Sequence, residues 1–444
     1  MKSMFLRFIA TRLLALLMLS GLLASPTLTC AQEPPQGFEK LFNGDDLDGW
    51  YATKTQDPRQ FQKLSDQEQK DAIAAAEKET GKWWRVENGE IVNDGDGPFL
   101  TTKRNFRDYE LLIEYKTVPR ADSGVYLKGT PQVQIWDSTD EGKFKNGADK
   151  GSGGLWNNKH PHGKDPLVLA DKPFGQWNKF RILQIGARTS VWLNDKQVVD
   201  HAIMDNYWGN NQRPLINSGP IQLQTHGGEI RWRNVYVREL DANEANKMLA
   251  SKNNDGFESV FDGSSLAGWT GAVDNYEIVD GTIVCKKGKG GNLFTEKEYG
   301  NFVVRLMFQL PPAGNNGLAI RFPGQGNPAY DGMTELQVLD SEHKRYAILD
   351  ARQYHGSAYG IAAAHRGYLR PTGEWNFQEV TVDGSKIRVE LNGTVILDTD
   401  VSQVTSFKDD AKHPGLNREK GHFGFAGHND PVKFKSVSIK PLDP

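Results

Sequence analysis

Cysteine is nearly missing from this chain: two in 444 residues, at positions 30 and 285. Only Cys285 lies in the body of the sequence, so no intrachain disulfide can staple the fold. It closes the β-rich run Gly-Thr-Ile-Val-Cys, where a buried, inert thiol is expected. Neither sign of charge is in excess. The formal net charge is −3, which leaves no basic footprint for nucleic acid. Long apolar runs are also missing, except for Leu13–Ala24, and the mean hydropathy is −0.58. That run is too short for a comfortable membrane span. Lys2, Arg7 and Arg12 precede it, and Thr29 and Ala31 follow it. It therefore reads as a secretory signal cleaved after Ala31, and export to a periplasm or beyond is expected. Cys30 raises a lipoprotein alternative, disfavoured because Thr27 stands where lipidation patterns carry Leu. No Gly-rich phosphate loop joins a strand to a helix and no G-x-S-x-G elbow exists, so no nucleotide cofactor is expected. One His-x-His spacing, His160 and His162, hints at metal, yet nothing near it completes a tetrahedral set. A divalent metal elsewhere is left open.

What is present is repetition. FNGDDLDGW at 42–50 returns as FDGSSLAGW at 261–269. DSGVYLKG (122–129) answers NNGLAIRF (315–322), PQVQIWDS (131–138) answers TELQVLDS (334–341), and GQWN (175–178) answers GEWN (373–376). The order never breaks, so two homologous domains in tandem are expected at 36–240 and 255–442. The segment 241–254, helix-prone and then broken at Asn253-Asn254, reads as the linker. The repeated segments are β-rich and turn-bounded, with hairpin signals at Asn194-Asp195 and Asn392-Gly393. They predict an all-β pair of antiparallel sandwiches, with Trp and Tyr residues stapling the sheets. One insertion, residues 65–79, is helical: Ser65 and Glu68 form a capping-box pattern.

Alternation then selects candidate site residues. On TELQVLDS, Glu335 and Gln337 share a face while Leu336 and Val338 point to the core. Asp340 is five along and joins Glu335 only through a bulge or at the strand's end. On GLAIRF, Ala319 and Arg321 face opposite to Leu318 and Ile320, so Arg321 could share Glu335's face. His428 answers His226 in the turn before the last strand, and Tyr359 answers Trp156. The first copy has Gln132, Gln134, Asp137 and Lys128 at the positions of Glu335, Gln337, Asp340 and Arg321. Gln132 cannot take a proton, and Lys128 lacks the bidentate fork of arginine.

The ordered set FDGSSLAGW, NNGLAIR, ELQVLD, GEWN, LNG and GHND, matched by FNGDDLDGW, DSGVYLK, QVQIWD, GQWN, LND and THGGEIRWRN, resembles the 3-keto-disaccharide hydrolase domain family. The resemblance spans both halves. It implies a concanavalin A-like jelly-roll sandwich in each, and action on glycosides, including sugars oxidised at C3. A C3 ketone acidifies the C2 hydrogen; a base removes it, the C1 substituent leaves, and water adds back. Carried over, Glu335 is the base or acid, Arg321 the enolate or hydroxyl clamp, and Asp340 and His428 supporting acid–base or metal-ligating groups. Gln337, Tyr359 and His355 would bind the sugar. In the first copy Lys128, Gln132, Gln134, Asp137, Trp156 and His226 would do so. The second copy is then the expected catalytic half, and the first binds carbohydrate or completes a site across an interface. A lectin-like protein without turnover, or a glycosidase using the Glu335 and Asp340 carboxylates, are the alternatives.

Overall fold

The computed structural model describes residues 33–159 and 163–442. The signal-like segment with Cys30, and His160 and His162, lie outside the described residues. Each half pairs an eight-stranded with a five-stranded sheet, and every strand pairing is antiparallel. In the first half the five-stranded sheet runs Trp50–Thr53, Phe99–Thr102, Gln222–Leu223, Asp122–Leu127, Thr130–Trp136. In the second it runs Trp269–Gly271, Gly290–Tyr299, Gly421–His428, Asn315–Phe322, Thr334–Leu339. The strand order is the same, and a separate apolar core fills each sandwich. No helix among the described residues is long and apolar enough to cross a membrane.

The repeated opening phrase is a structural device. An Asx turn starts it: Asn43 Oδ1 accepts from the amides of Asp45 and Asp46, and Asp262 Oδ1 from those of Ser264 and Ser265. The phrase ends on a buried Trp whose indole N–H donates back nine residues, Trp50 to Leu41 O at 2.6 Å and Trp269 to Val260 O at 2.7 Å. The aromatic thus closes the loop and enters the core at once. Cys285 ends the strand Thr282–Cys285, fully buried, and burial raises its thiol pKa.

The insertion forms a helix at Asp66–Thr80. Its capping box is complete: Glu68 accepts from the Ser65 amide, and the Ser65 hydroxyl accepts from the Glu68 amide. The linker also folds. Asp241 caps a helix at Ala242–Ser251, whose Ala245 and Leu249 pack with Ile185 of the first half and Phe377 of the second. Two hairpin tips lock the halves together. Ala187 N donates to Gly393 O at 3.0 Å, and Gly186 and Gly393 both have positive φ. A Cβ on Gly186 would lie 2.2 Å from Asn392 O, and one on Gly393 2.3 Å from Ile185 O, so only glycine lets the backbones meet. Beside this contact Arg188 makes a bidentate pair with Glu390, at 2.8 and 2.6 Å.

Candidate functional site

Glu335 sits mid-strand in Thr334–Leu339, and its carboxylate lies across the neighbouring strand Asn315–Phe322. Gly317 makes this possible, because a Cβ there would fall 2.0 Å from Glu335 Oε1. Gly124 leaves the same room for Gln132 in the first half. Glu335 is buried, and its Oε1 lies 3.5 Å from His428 Nε2. The hydrogen bond with Glu335 raises the His428 pKa, against the opposing effect of burial. Gln337 Nε2 donates to Asn315 Oδ1 at 2.6 Å. A loop runs along the strand's outer edge: Tyr359 N donates to Glu335 O, and Gly356 N to Gln337 O. That loop sets the Tyr359 ring beside the carboxylate, with its hydroxyl accepting from Gln353 Nε2 at 3.0 Å. Together with Tyr330, Tyr346 and Asn327 these groups line a cavity of about 240 Å³.

Glu335, Gln337, Tyr359 and His428 therefore converge, and three other candidates do not. Arg321 was expected on Glu335's face. Instead the strand bulges between Ala319 and Phe322, Arg321 takes φ +46°, and its guanidinium turns away from the cavity. There it donates to the carbonyls of Gly300, Gly384 and Arg418 and to Asn301 Oδ1, at 2.8–2.9 Å. Asp340 does fall at the strand's end, but its Oδ2 accepts from Ala313 N at 2.9 Å and it does not line the cavity. The Glu335–Asp340 pair of a two-carboxylate glycosidase is thus not assembled, and Glu335 is the only carboxylate lining this cavity among the described residues. His355 is a core residue rather than a sugar contact. Its ring packs on Phe308, its Nε2 meets Gln378 Oε1 at 3.1 Å, and burial lowers its pKa to about 3.

The first half repeats the geometry. Gln132, Gln134, Trp156 and His226 line a larger cavity of about 440 Å³. Trp156 is placed by the same edge loop, with Gln134 N donating to Gly154 O and Gly153 N to Gln134 O. Lys128, like Arg321, is turned away. It is fully buried, it donates to Gly186 O at 2.8 Å beneath the hairpin contact, and burial lowers its pKa to about 8. Asp137 holds the amides of Arg120 and Thr139, again a loop clasp. Within the chain each of these two cavities is lined by its own half alone. A larger cavity, of about 800 Å³, lies between the halves near His201 and His365, but none of the candidate site residues lines it. Among the described residues no cluster of three or more His, Cys, Asp and Glu is arranged to hold a metal.

Sequence reasoning missed Asn315 and Asp122, although the aligned segments displayed both. Both halves match the family described as 3-keto-alpha-glucoside-1,2-lyase-like domain, over residues 37–238 and 256–440. The chain belongs to this family, twice over. A 3-keto-disaccharide hydrolase of Bacteroides thetaiotaomicron is 26% identical over 250 residues, covering 47% of this chain and 86% of the relative. Among solved structures, a candidate glycosyl hydrolase from Parabacteroides distasonis aligns at 23% identity and TM-score 0.38, over 43% of this chain and 95% of its own. A carbohydrate-binding module from Bacillus subtilis aligns at 11% identity and TM-score 0.27, over 39% and 95%. The family and the first of these relatives support a glycosyl hydrolase-like chain.

Proposed function

We propose that this chain is an exported enzyme that cleaves the glycosidic bond of 3-keto glycosides by elimination, and that the second half performs the reaction. The observation that carries the reading is the buried Glu335 paired with the half-exposed His428 in a cavity walled by hydroxyls and amides. Glu335 takes the C2 proton, which the neighbouring ketone has acidified. Electrons from that bond form C1=C2 as the C1–O bond breaks, and protonated His428 gives its proton to the leaving oxygen. With Arg321 engaged elsewhere, the donor to the enolate oxygen is Tyr359. Its hydroxyl accepts from Gln353 and keeps its own proton to steady the enolate oxygen at C3. Water then adds at C1, C2 regains a proton, and the net change is hydrolysis.

The test is product analysis with purified mature protein. A 3-keto disaccharide and its unoxidised parent are offered with and without chelator. Cleavage of the keto sugar alone, with turnover falling about 100-fold or more in Glu335→Gln while affinity holds, supports the reading. Cleavage of the parent sugar contradicts it. Loss of activity with chelator would add a metal to the scheme. Sugar binding without turnover is the second reading, favoured by the aromatic walls of the first-half cavity; binding with no cleavage of either sugar would establish it.

A further inference from the structure

The two cavities differ in where the negative charge stands. In the second half the carboxylate is Glu335, and the residue on the neighbouring strand that bonds Gln337 is the amide Asn315. In the first half these types are exchanged: Gln132 carries the amide and Asp122 the carboxylate. Asp122 Oδ1 accepts from Gln134 Nε2 at 2.8 Å, as Asn315 accepts from Gln337. Its Oδ2 meets His226 Nδ1 at 3.0 Å and Lys143 Nζ at 2.6 Å. The acid–histidine pair has therefore moved from one strand to the next, and this half has not lost it. With Nδ1 held by the carboxylate, Nε2 of an exposed His226 is left to act as a base.

The walls have changed as well. Tyr126, Trp136, Trp156, Tyr207 and Trp208 surround this cavity. The Trp136 indole N–H is committed to Gly151 O and that of Trp208 to Gly129 O, so their ring faces are what remain for a ligand. Tyr126 stands where the other half has Ala319, and Gln224 where it has Ala426. Two residues that line the cavity, Thr55 and Gln224, each carry a buried oxygen, Oγ1 and Oε1, with no hydrogen-bond partner among the described residues. Such groups call for partners from a ligand, and sugar hydroxyls would supply them.

We propose that the first half is a second catalytic centre, specialised for 3-keto glycosides whose leaving group is a flat apolar ring system. This rests on the elimination reading above. Neutral His226, oriented by Asp122, takes the C2 proton, and the released pair forms C1=C2. The C1–O bond breaks, and the aglycone oxygen takes a proton from the Lys143 ammonium. Water adds its hydroxyl at C1 and returns its proton to Lys143, and His226 returns the first proton to C2. The aromatic walls stack on the leaving ring.

The experiment compares a 3-keto disaccharide with a 2-naphthyl 3-keto-glucoside, using wild type, Glu335→Gln, and Glu335→Gln with Asp122→Asn added. Glu335→Gln is expected to lose disaccharide cleavage while still releasing naphthol. Adding Asp122→Asn should lower naphthol release about 100-fold. Adding Gln132→Glu to that double variant, which puts the carboxylate where the other half has it, should restore part of the rate. If Asp122→Asn disturbs folding, His226→Gln serves instead, since His226 is exposed. Loss of both activities in Glu335→Gln alone overturns this inference and leaves the second-half reading standing. So does a naphthol rate unmoved by Asp122→Asn in a folded protein. A wild type inert toward both substrates overturns both readings together.

Discussion

A charged residue in a strand serves whichever groups its backbone aims it at, and Arg321 is aimed at carbonyls. Four of its hydrogen bonds join the turn at Gly300-Asn301, the hairpin at Gly384 and the loop at Arg418. Arg321→Met should therefore cost about 3 kcal/mol or more in chemical denaturation, because it strands buried acceptors. The folded fraction should keep its affinity for substrate. His428 behaves differently. Its pKa is raised in the fold by Glu335, so its contribution is fully present below the unfolded value of about 6.5 and is lost as pH rises through the folded value. His428→Gln should thus be less stable than wild type near pH 6, by about 0.5 kcal/mol for a histidine so exposed, and the gap should close by pH 9. Period-two alternation made the Glu335 and Gln337 face readable. It could not show the bulge at Arg321, which depends on non-local partners, nor that Asp340 spends its oxygen on Ala313. The exchange of Asp122 for Asn315 was written in the aligned segments. Alternation within one strand does not mark it, because Asp122 and Gln132 lie on neighbouring strands.

At the scale of elements, the opening phrase is a loop closed by its own aromatic. Trp50→Phe and Trp269→Phe keep most of the apolar volume and lose the indole donor. Each should lower stability by about 1 kcal/mol in thermal melts, with similar values in the two halves. Unequal values would mean that the two copies of the phrase no longer do the same structural work. The strands and hairpins were legible because turn residues bound them and the copies corroborate each other. Asn194 and Asp195 have the positive φ values that such a turn demands, as do Asn392 and Gly393. The edge loops that carry Tyr359 and Trp156 were legible only as matched positions, since their hydrogen bonds run to a strand distant in sequence.

At the scale of the molecule, the halves are joined by more than a tether. The hairpin tips at Gly186 and Gly393, the linker helix, and the pairs Arg188–Glu390 and Arg370–Asp108 bury charge and backbone between them. Arg188→Met leaves Glu390 buried without its bidentate partner, a loss of about 3–5 kcal/mol. Calorimetry should then show two transitions where wild type shows one. A single transition, shifted only slightly, would mean that the halves do not depend on this contact. The linker segment was visible in sequence as a helix-prone stretch. Its burial was not, because the apolar partners Ile185 and Phe377 belong to different halves.

The most direct test of the central claim follows one hydrogen. A 3-keto disaccharide deuterated at C2 is cleaved by the purified protein in ordinary water, and product and recovered substrate are analysed by mass spectrometry. Abstraction by Glu335, with the deuteron exchanged into water before C2 is reprotonated, gives product with protium at C2, formed more slowly than from undeuterated substrate, beside recovered substrate that keeps its deuterium. Product that retains the C2 deuterium and forms at the same rate as product from undeuterated substrate would contradict proton abstraction by Glu335.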